Sequence, residues 1–429
     1  MDRKGRSVTT SYEQVFALQP EALKCPFEHF SESQREDPVA YSESLKMWIV
    51  TGYRAVAAAL RDVSTFSTKE MLGPATAAEW QRMIDLAAAT EEGRKRLGPE
   101  YGTSPRKTLL FADPPEHTEH RKLIASATRA AAIASWEPRI RTTAGRFVDE
   151  LAKKPHVEFV TEFATPYTMT VIADILGLPH EMVPQMLHWT HGFNSMIGNP
   201  LTDEEVAQLV DVRLGFDIYF DEQMRLRKQT PTTDLISGVV EYNKLAHEPL
   251  SRDELLMVLQ LVMVGGSDTS ATALSQMMEY LTDNPEQWDR LNADPAAIPA
   301  FVEELLRTDS PIQGLFRIVT KDVELGGKRL AKGDTVWLSL GSANRDPEIF
   351  EDPDEKDFSR RNAVSQYLTF GGGPHNCAGA ALTRLELRVV LEMLTTEFSS
   401  VERNSPPSER IKSFLFYGPT TLDVTFKSR

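Results

Sequence analysis

Cys377 is the residue whose surroundings indicate the most specific chemistry in this chain. It lies in residues 370–379, FGGGPHNCAG, and an apolar periodicity after it predicts a helix from residue 378 to about residue 393. A thiol at a helix N-terminus lies at the positive end of the helix dipole, which favours the thiolate form. Glycines on both sides allow a flat ligand to approach the backbone closely. The run therefore predicts a thiolate beside a flat ligand.

A second polar motif lies inside a long apolar helix pattern. Ser251 and Glu254 have the spacing of a capping box, and the pattern continues until Pro285 would stop it. The first part of this segment, residues 255–264, is apolar except for Gln260. We expect it to be buried on nearly all sides, and it is too short to span a bilayer. The pattern is then interrupted by residues 265–270, GGSDTS.

The interruption has two interpretations. Two glycines in a buried helix cost about 1 kcal/mol each relative to alanine, and a buried acid must find a partner. Residues 265–270 could form a kink at which small side chains allow close packing. Alternatively, they form a widened turn beside a reactive centre, where Asp268 and Thr269 move protons.

Together, the two motifs resemble those of the cytochrome P450 family. The haem-thiolate loop of that family, F-G-x-G-x-H-x-C-x-G, is matched at Phe370, Gly371, Gly373, His375, Cys377 and Gly379. The motif of its oxygen-binding helix, A/G-G-x-D/E-T, is matched at Gly265, Gly266, Asp268 and Thr269. The resemblance extends over essentially the whole chain from about residue 20.

The resemblance implies a haem b whose iron is bound by Cys377, between the long glycine-containing helix and the helix that follows the cysteine loop. Electron donation from a thiolate favours cleavage of the O–O bond of dioxygen. That cleavage needs two protons in a site that otherwise excludes water. Thr269 would hold an ordered water, and Asp268 would relay protons from solvent. Gly265 and Gly266 would leave room for dioxygen.

Four basic residues match family positions that bind the haem propionates. His117 and Arg121 are one turn apart on a predicted helix, Arg317 lies where the family has a propionate-binding arginine on a strand, and His375 precedes the cysteine by two residues. Taken singly, each is more often an ordinary surface cation. As a set in the order of the family, they imply cofactor binding.

The chain also matches the structural ion pair of the family, and it departs from the family pattern at three positions. Glu304 and Arg307 match the E-x-x-R motif of the family, and Arg360 in the following meander is the expected third partner. These three residues are assigned to folding and haem retention. Tyr367 stands where histidine is common, Lys356 where phenylalanine is common, and Gly265 where alanine is more frequent.

The fold class that the pattern predicts is mainly α with small β-sheets (α+β). Helical patterns dominate residues 118–281, and short β signals occur at residues 47–50, 323–325, 335–338 and 421–426. Gly326 and Gly327 have the spacing of a hairpin turn. We expect an N-terminal tail at residues 1–20 and a single P450 domain at residues 21–429.

Family geometry also suggests which residues contact the substrate. They are the connection at residues 71–111 and a set of mostly apolar side chains: Phe193, Met196, Leu261, Gly265, Ile312, Leu315, Leu415 and Phe416. Any one of them could instead belong to the core. Because no fixed charge is evident, we expect a small or medium apolar substrate. Residues 415–419, LFYGP, resemble the ending of bacterial P450s that act on aromatic ethers, terpenoids or steroids, which implies a substrate of the aromatic, terpenoid or steroid class.

The composition restricts the partners and the location. Lys and Arg number 47 and Asp and Glu 62, giving a net charge of −15, which disfavours nucleic acid and anionic membranes. Two cysteines are too few for a disulfide framework. Residues 1–30 contain no apolar run long enough for a signal peptide or an anchor. These features predict a soluble, cytoplasmic protein of bacterial type.

Electrons are expected to come from another protein, because the chain contains no flavin or iron–sulfur motif. The expected donor is a ferredoxin or flavodoxin with its NAD(P)H reductase. Arg384 and Arg388, on the helix after Cys377, would form a basic face that docks an acidic partner. The alternative is an ordinary solvated helix face.

The expected activity is insertion of one oxygen atom from O2 into the substrate, by hydroxylation or oxidative O-dealkylation. Two rivals stay open. A peroxygenase would use hydrogen peroxide directly and would not need the Asp268–Thr269 pair. A haem-based ligand sensor would bind the same cofactor without catalysis.

Overall fold

Most of the described chain is α-helical, as the sequence predicts. The computed structural model describes residues 11–91, 109–197, 201–360 and 366–429. The α-helices in chain order are α1 (Glu13–Phe16), α2 (Pro20–Lys24), α3 (Pro26–Glu36), α4 (Tyr53–Arg61), α5 (Pro74–Ala89), α6 (Glu116–Thr128), α7 (Ala130–Lys153), α8 (Thr165–Leu176), α9 (Val183–Ser195), α10 (Asp203–Gln229), α11 (Leu235–Leu245), α12 (Arg252–Asp283), α13 (Pro285–Ala293), α14 (Ile298–Thr308), α15 (Leu340–Ala343) and α16 (Ala380–Glu397).

The strands of the described residues form small sheets at the edges of this helical body. They are β1 (Val39–Ser42), β2 (Met47–Val50), β3 (Phe66–Ser67), β4 (His156–Glu158), β5 (Gly314–Val319), β6 (Val323–Leu325), β7 (Lys328–Leu330), β8 (Thr335–Ser339), β9 (Phe398–Arg403) and β10 (Asp423–Ser428). One sheet has the order β1-β2-β8-β5-β3, another the order β4-β10-β9, and β6 and β7 form a hairpin.

The predicted β segments coincide with β2, β6, β8 and β10. The hairpin turn between β6 and β7 is also confirmed, since Gly326 and Gly327 have φ angles of 56° and 77°. That left-handed region is favoured by glycine. Because β2 pairs in parallel with β8 and β5 lies beside β8, the N-terminal region is joined to the segment that carries Arg317.

Helix α12 begins and ends where the sequence predicts. The hydroxyl of Ser251 accepts from the N–H of Glu254 at 3.3 Å, and the N–H of Ser251 donates to the Glu254 carboxylate at 2.8 Å. The helix ends at Asp283, two residues before Pro285. The glycine pair interrupts the apolar pattern but not the helix, which is continuous from Arg252 to Asp283. The expected widened turn is therefore not present.

Helix α12 is a core helix. It is long and apolar enough by composition to cross a bilayer, and no other helix of the described residues passes that test. However, 56% of its most apolar 18-residue stretch is buried inside the protein, and it packs against α8, α14 and α16. Its apolar surface is thus covered by neighbouring helices.

Residues 11–20 belong to the packed domain and not to a tail. Tyr12 and Val15 are 5% and 1% exposed, and they pack in one apolar cluster with Phe30, Trp337 and Leu415. The folded unit thus begins at or before Tyr12, earlier than the boundary expected at residue 21. Residues 1–10 lie outside the described part.

Candidate active site

Backbone geometry holds Cys377 in a tight loop. The N–H of Cys377 donates to the carbonyl oxygen of Phe370 at 2.8 Å. Gly371 and Gly373 have φ angles of 71° and 65°, in the region that favours glycine. A Cβ at Gly373 would meet the carbonyl oxygen of Leu60, on α4, at 2.5 Å. Glycine is therefore needed here both for the turn and for the close approach of α4.

The Cys377 thiol lies three residues before α16, which begins at Ala380 and not at residue 378. Its side chain keeps accessible surface, but the surrounding protein is dense enough that burial raises its pKa. The N–H groups of Gly379 and Ala380 and the Arg121 and Arg384 guanidinium groups lower this pKa, less than burial raises it. In the polypeptide by itself burial therefore opposes the predicted thiolate form, and a coordinated metal cation would favour it.

The structure brings together the four residues predicted to bind propionates, here called the cationic cluster: His117, Arg121, Arg317 and His375. The imidazole rings of His117 on α6 and His375 in the cysteine loop have centroids 3.8 Å apart. Burial, His117, Arg317 and Arg121 all lower the pKa of His375, to about 3. The charges of Arg317 and Arg121 thus act on His375, so the four residues share one region of the fold.

The charges of the cationic cluster are not balanced by the described protein. Arg317, on β5, is 0% exposed, and its Nη1 donates to the carbonyl oxygen of Phe316 at 2.7 Å. Its Nε and Nη2 have no hydrogen-bond partner among the described residues. Burial lowers the pKa of Arg317 to about 10 and that of His117 to about 4. Because a buried guanidinium without partners is costly, the cluster requires an anionic ligand.

Asp113 is a member of this region that the sequence did not reveal. Its carboxylate raises the pKa of Arg317 and of both histidines. It already accepts hydrogen bonds from the hydroxyl of Ser67 at 2.6 Å and from the N–H of Thr68 at 3.0 Å. One carboxylate with these commitments cannot balance the charges of both Arg121 and Arg317. In sequence, Asp113 is visible only as the residue before a proline-initiated helix.

These residues fit a haem. The sulfur of Cys377 would bind the iron, and the cationic cluster would bind the two propionates. Arg121 is close to both regions, since Arg121 and Cys377 shift each other's pKa. Among the described residues, no group of three or more His, Cys, Asp and Glu could hold a metal ion. A single sulfur is sufficient when a porphyrin supplies the other ligands.

Asp268 is anchored by a neutral side chain from α9. The Nδ2 of Asn194 donates to Oδ2 of Asp268 at 2.5 Å. Burial raises the pKa of Asp268, while His191 and the bond from Asn194 lower it by less. The three residues line a cavity of about 400 Å³. An acid with a raised pKa beside such a cavity is suited to take up and release protons.

The two glycines of α12 face different surroundings. A Cβ at Gly265 would meet nothing within 4 Å, whereas a Cβ at Gly266 would meet Cδ1 of Ile172, on α8, at 2.4 Å. The hydroxyl of Thr269 donates to the carbonyl oxygen of Gly265 at 2.8 Å. Close packing therefore explains Gly266, which contacts α8 and not open space. The prediction that small residues leave room for dioxygen fits Gly265, which is next to the Thr269 hydroxyl, and does not fit Gly266.

Glu304, Arg307 and Arg360 form the predicted ion pair with its third partner. Arg307 is bidentate to Glu304 at 2.7 and 3.0 Å, and Arg360 reaches Glu304 at 3.3 Å. Arg307 and Glu304 have 0% and 1% side-chain exposure. Arg307 also donates to the carbonyl oxygens of Asn344, Pro353 and Glu355 at 2.8–3.0 Å. This buried pair joins α14 to the meander before the cysteine loop.

The predicted substrate residues divide into two groups. Phe193, Met196 and Leu415 are 4%, 1% and 2% exposed and pack in apolar clusters, so they belong to the core. The others keep accessible surface: Leu261, Gly265, Ile312, Leu315 and Phe416. Phe416 lines the cavity next to Asp268. Residues 92–108 of the predicted connection lie outside the described residues.

A buried acid on α16 was also missed by the sequence analysis. Glu386 is 1% exposed, and both of its carboxylate oxygens are buried. Burial raises its pKa to about 8, whereas Ser270, next to Thr269 on α12, lowers it. Glu386 is thus mainly protonated at neutral pH. Its position on the buried face of α16 is the only signal that sequence offers.

Arg384 and Arg388 do not form a free basic face. Arg384 pairs with Glu303 at 2.7 Å, and Arg388 with Glu137 at 3.0 Å. These four residues line a groove of about 310 Å³ between α7, α14 and α16. The groove is therefore of mixed charge and not predominantly basic.

Comparison with known proteins finds similar sequences along most of this chain. The family model described as Cytochrome P450 matches residues 217–426. Cytochrome P450 107B1 of Saccharopolyspora erythraea is 30% identical over 87% of this chain and 88% of its own. The Steroid C26-monooxygenase of Mycobacterium tuberculosis is 30% identical over 75% of this chain and 85% of its own. The Linalool 8-monooxygenase of Pseudomonas putida is 28% identical over 93% and 95%.

Solved structures have the same fold. Cytochrome P450 CYP109Q5 from Chondromyces apiculatus superposes with a TM-score of 0.79 at 31% identity, covering 96% of this chain and 98% of its own. CYP109E1 from Bacillus megaterium, in complex with testosterone, has a TM-score of 0.79 at 27% identity over 95% and 99%.

The fold and the site define a haem-thiolate protein, in which a cysteine sulfur is the protein ligand of the iron. The chain belongs to the cytochrome P450 family and is an oxidoreductase of the monooxygenase type.

Proposed function

We propose that this protein inserts one oxygen atom of O2 into a small or medium apolar molecule, by hydroxylation or oxidative O-dealkylation. The observation that carries the proposal is the pairing of Cys377 with a buried cationic cluster in which Nε and Nη2 of Arg317 have no hydrogen-bond partner among the described residues. A haem b supplies the iron that activates dioxygen when it is bound to the Cys377 sulfur. We assign the remaining tasks to side chains of this chain.

Asp268 and Thr269 are the proposed proton-handling pair. Asn194 holds the Asp268 carboxylate at 2.5 Å beside the cavity of about 400 Å³, and burial raises its pKa, so this acid can exchange protons with water there. Thr269 donates to the carbonyl oxygen of Gly265 at 2.8 Å, which orients the hydroxyl oxygen as an acceptor. Gly265 presents no side chain where a ligand would approach.

The proposed substrate class rests on the predicted substrate residues that keep accessible surface and on the relatives. Leu261, Ile312, Leu315 and Phe416 are apolar and keep accessible surface. One relative is named for a steroid and another for linalool, both apolar molecules. We therefore propose terpenoid, steroid or aromatic substrates.

The proposed electron donor is a ferredoxin or flavodoxin with its NAD(P)H reductase, in the cytoplasm. The groove between α7, α14 and α16 lies on the Cys377 side, where Arg384 contacts the ring of Phe370. Since its arginines are paired with acids of this chain, docking would have to exchange those pairs for pairs with the partner.

The carbon monoxide adduct of the reduced holoprotein tests the iron ligand. We expect absorption at about 450 nm for sulfur ligation. A band at about 420 nm in the intact protein would contradict the assignment of Cys377. Titration of the ferric protein with terpenes, steroids and methoxyaromatics then identifies the substrate by its shift from low to high spin.

Replacement of Thr269 by alanine tests the proton-handling pair. We expect the variant to consume NAD(P)H and release hydrogen peroxide in place of product, because proton delivery is disturbed. Unchanged coupling of NAD(P)H to product would reject the role. Turnover with hydrogen peroxide, but none with NAD(P)H and partners, would instead support a peroxygenase.

A further inference from the structure

Three polar side chains connect the surface groove with the cysteine loop. Arg384, on α16, donates from Nε to Glu303 at 2.7 Å and from Nη2 to the hydroxyl oxygen of Tyr367 at 2.6 Å. The Tyr367 hydroxyl donates in turn to the other carboxylate oxygen of Glu303, on α14. Each residue thus contacts the other two, and we call this closed arrangement the Glu303 triad.

The Glu303 triad holds a positive charge next to the cysteine loop. The guanidinium carbon of Arg384 lies 4.5 Å from the centroid of the Phe370 ring, and the carbonyl oxygen of Phe370 accepts the N–H of Cys377 at 2.8 Å. Tyr367 is only 6% exposed, and the Arg384 and Glu303 side chains are 27% and 14% exposed. Limited contact with water strengthens electrostatic effects over such distances.

Each member of the triad has a distinct effect on the sulfur. The positive charge of Arg384 stabilises negative charge at Cys377, and the negative charge of Glu303 opposes it. The carboxylate also fixes the place of the guanidinium, because it accepts from both Arg384 and Tyr367. Tyr367 supplies the third contact with its buried hydroxyl, at a position where a histidine would present a shorter side chain.

We propose that the Glu303 triad is a positioning device that sets the electrostatic field of Arg384 at the Cys377 sulfur, and thereby the reduction potential of the bound iron. The proposal rests on haem ligation by Cys377, as in the proposed function. Addition of an electron makes the centre more negative. Removing the Glu303 charge therefore raises the potential, and removing the Arg384 charge lowers it.

Arg388 offers a matched control on the same helix and in the same groove. It lies one turn beyond Arg384 and pairs with Glu137 at 3.0 Å and with Glu392 at 3.8 Å. Its described contacts are with these acids, whereas Arg384 contacts the Phe370 ring. A change of surface charge alone would affect the two arginine sites similarly.

The test is an equilibrium redox titration of the holoprotein without any protein partner. We expect Arg384→Gln to lower, and Glu303→Gln to raise, the equilibrium constant for reduction by at least about tenfold, or about 59 mV for one electron. Arg388→Gln should shift it by less than a third of the Arg384→Gln effect. Glu303→Ala should raise it less than Glu303→Gln, because alanine also releases the guanidinium.

Two outcomes overturn the inference. Equal shifts for Arg384→Gln and Arg388→Gln would show that Arg384 has no special relation to the loop. Equal shifts for Glu303→Gln and Glu303→Ala would show that Glu303 acts by charge and does not position Arg384. The carbon monoxide band at about 450 nm confirms ligation in each variant, and its absence from the unmutated holoprotein would reject the proposed function itself.

Discussion

Two groups of buried charges in this protein differ in whether the protein itself supplies the partners of those charges. Around Glu304, the charges of Arg307 and Arg360 are paired with a carboxylate, and the remaining N–H groups of Arg307 reach backbone carbonyls. In the cationic cluster, Arg317 is as deeply buried, yet its Nε and Nη2 have no partner among the described residues.

The difference separates what the chain provides for folding from what it leaves for a ligand. A buried ion pair with complete hydrogen bonds needs nothing further. A buried cluster of basic groups raises the free energy of the folded chain until an anion is bound. The cationic cluster is therefore the part of this fold that a dicarboxylate cofactor would stabilise most.

The largest expected effect comes from breaking the buried ion pair of Arg307 and Glu304. Replacement of Arg307 by alanine leaves the Glu304 carboxylate buried and should lower the free energy of unfolding by about 3–5 kcal/mol. Denaturant unfolding measures the change. As a control, Lys24→Ala removes a pair with 65% and 83% exposed side chains, and should change stability by no more than about 0.5 kcal/mol. A loss below about 1 kcal/mol for Arg307→Ala would mean that the pair is not structural.

Replacement of Arg317 by methionine should have opposite effects in the two forms of the protein. In the haem-free protein it removes an unpaired buried cation, so we expect a gain in the free energy of unfolding of about 1–3 kcal/mol. In the holoprotein it would remove a proposed partner of a haem propionate, so we expect haem to transfer to a scavenger protein at least about tenfold faster, or about 1.4 kcal/mol. If Arg317→Met stabilised both the haem-free protein and the holoprotein, or destabilised both, the assignment of Arg317 as an unpaired buried cation would be contradicted.

The pH dependence of the haem-free protein tests the same cluster through His117. Its folded pKa of about 4 lies below the ordinary value of 6.5, so the unfolded chain binds more protons between these values. Stability should therefore fall as pH is lowered from 6.5 through 4. Urea unfolding at several pH values should show that the free energy of unfolding depends less on pH for His117→Gln than for the wild type. The same pH dependence in wild type and variant would show that His117 is not buried in the neutral form.

The smallest expected effects come from alanine substitutions at the two glycines of α12, where the space next to Gly266 is filled and the space next to Gly265 is open. Gly266→Ala places a methyl group against Ile172, and overpacking costs about 1–3 kcal/mol, partly offset by the helix propensity of alanine, about 1 kcal/mol. Gly265→Ala meets no atom within 4 Å and should stabilise the helix slightly. We expect Gly265→Ala instead to weaken substrate binding in optical titrations. If Gly265→Ala instead lowered stability and Gly266→Ala weakened substrate binding, the roles assigned to the two glycines would have to be exchanged.

Much of this site can be predicted from the sequence because its residues are close in the chain or follow a fixed spacing. The hairpin turn at Gly326 and Gly327, the capping box at Ser251 and the i, i+3 pair of Glu304 and Arg307 are local features, and the structure confirms them. Asp113, Asn194 and Glu386 could not be assigned in this way. Their roles depend on neighbours from other elements, which no local pattern specifies.

The sequence by itself determined the fold class and which thiol and basic residues are the candidates for the haem site, because spacing and residue type are sufficient for motifs within a few turns of chain. Only the tertiary structure decided that burial outweighs the helix N-terminus at Cys377 and that Gly266 packs on α8. It also decided that Arg384 is held by Glu303 and Tyr367. In each case the deciding quantity is burial or a contact between distant segments, which arises only when the chain is folded.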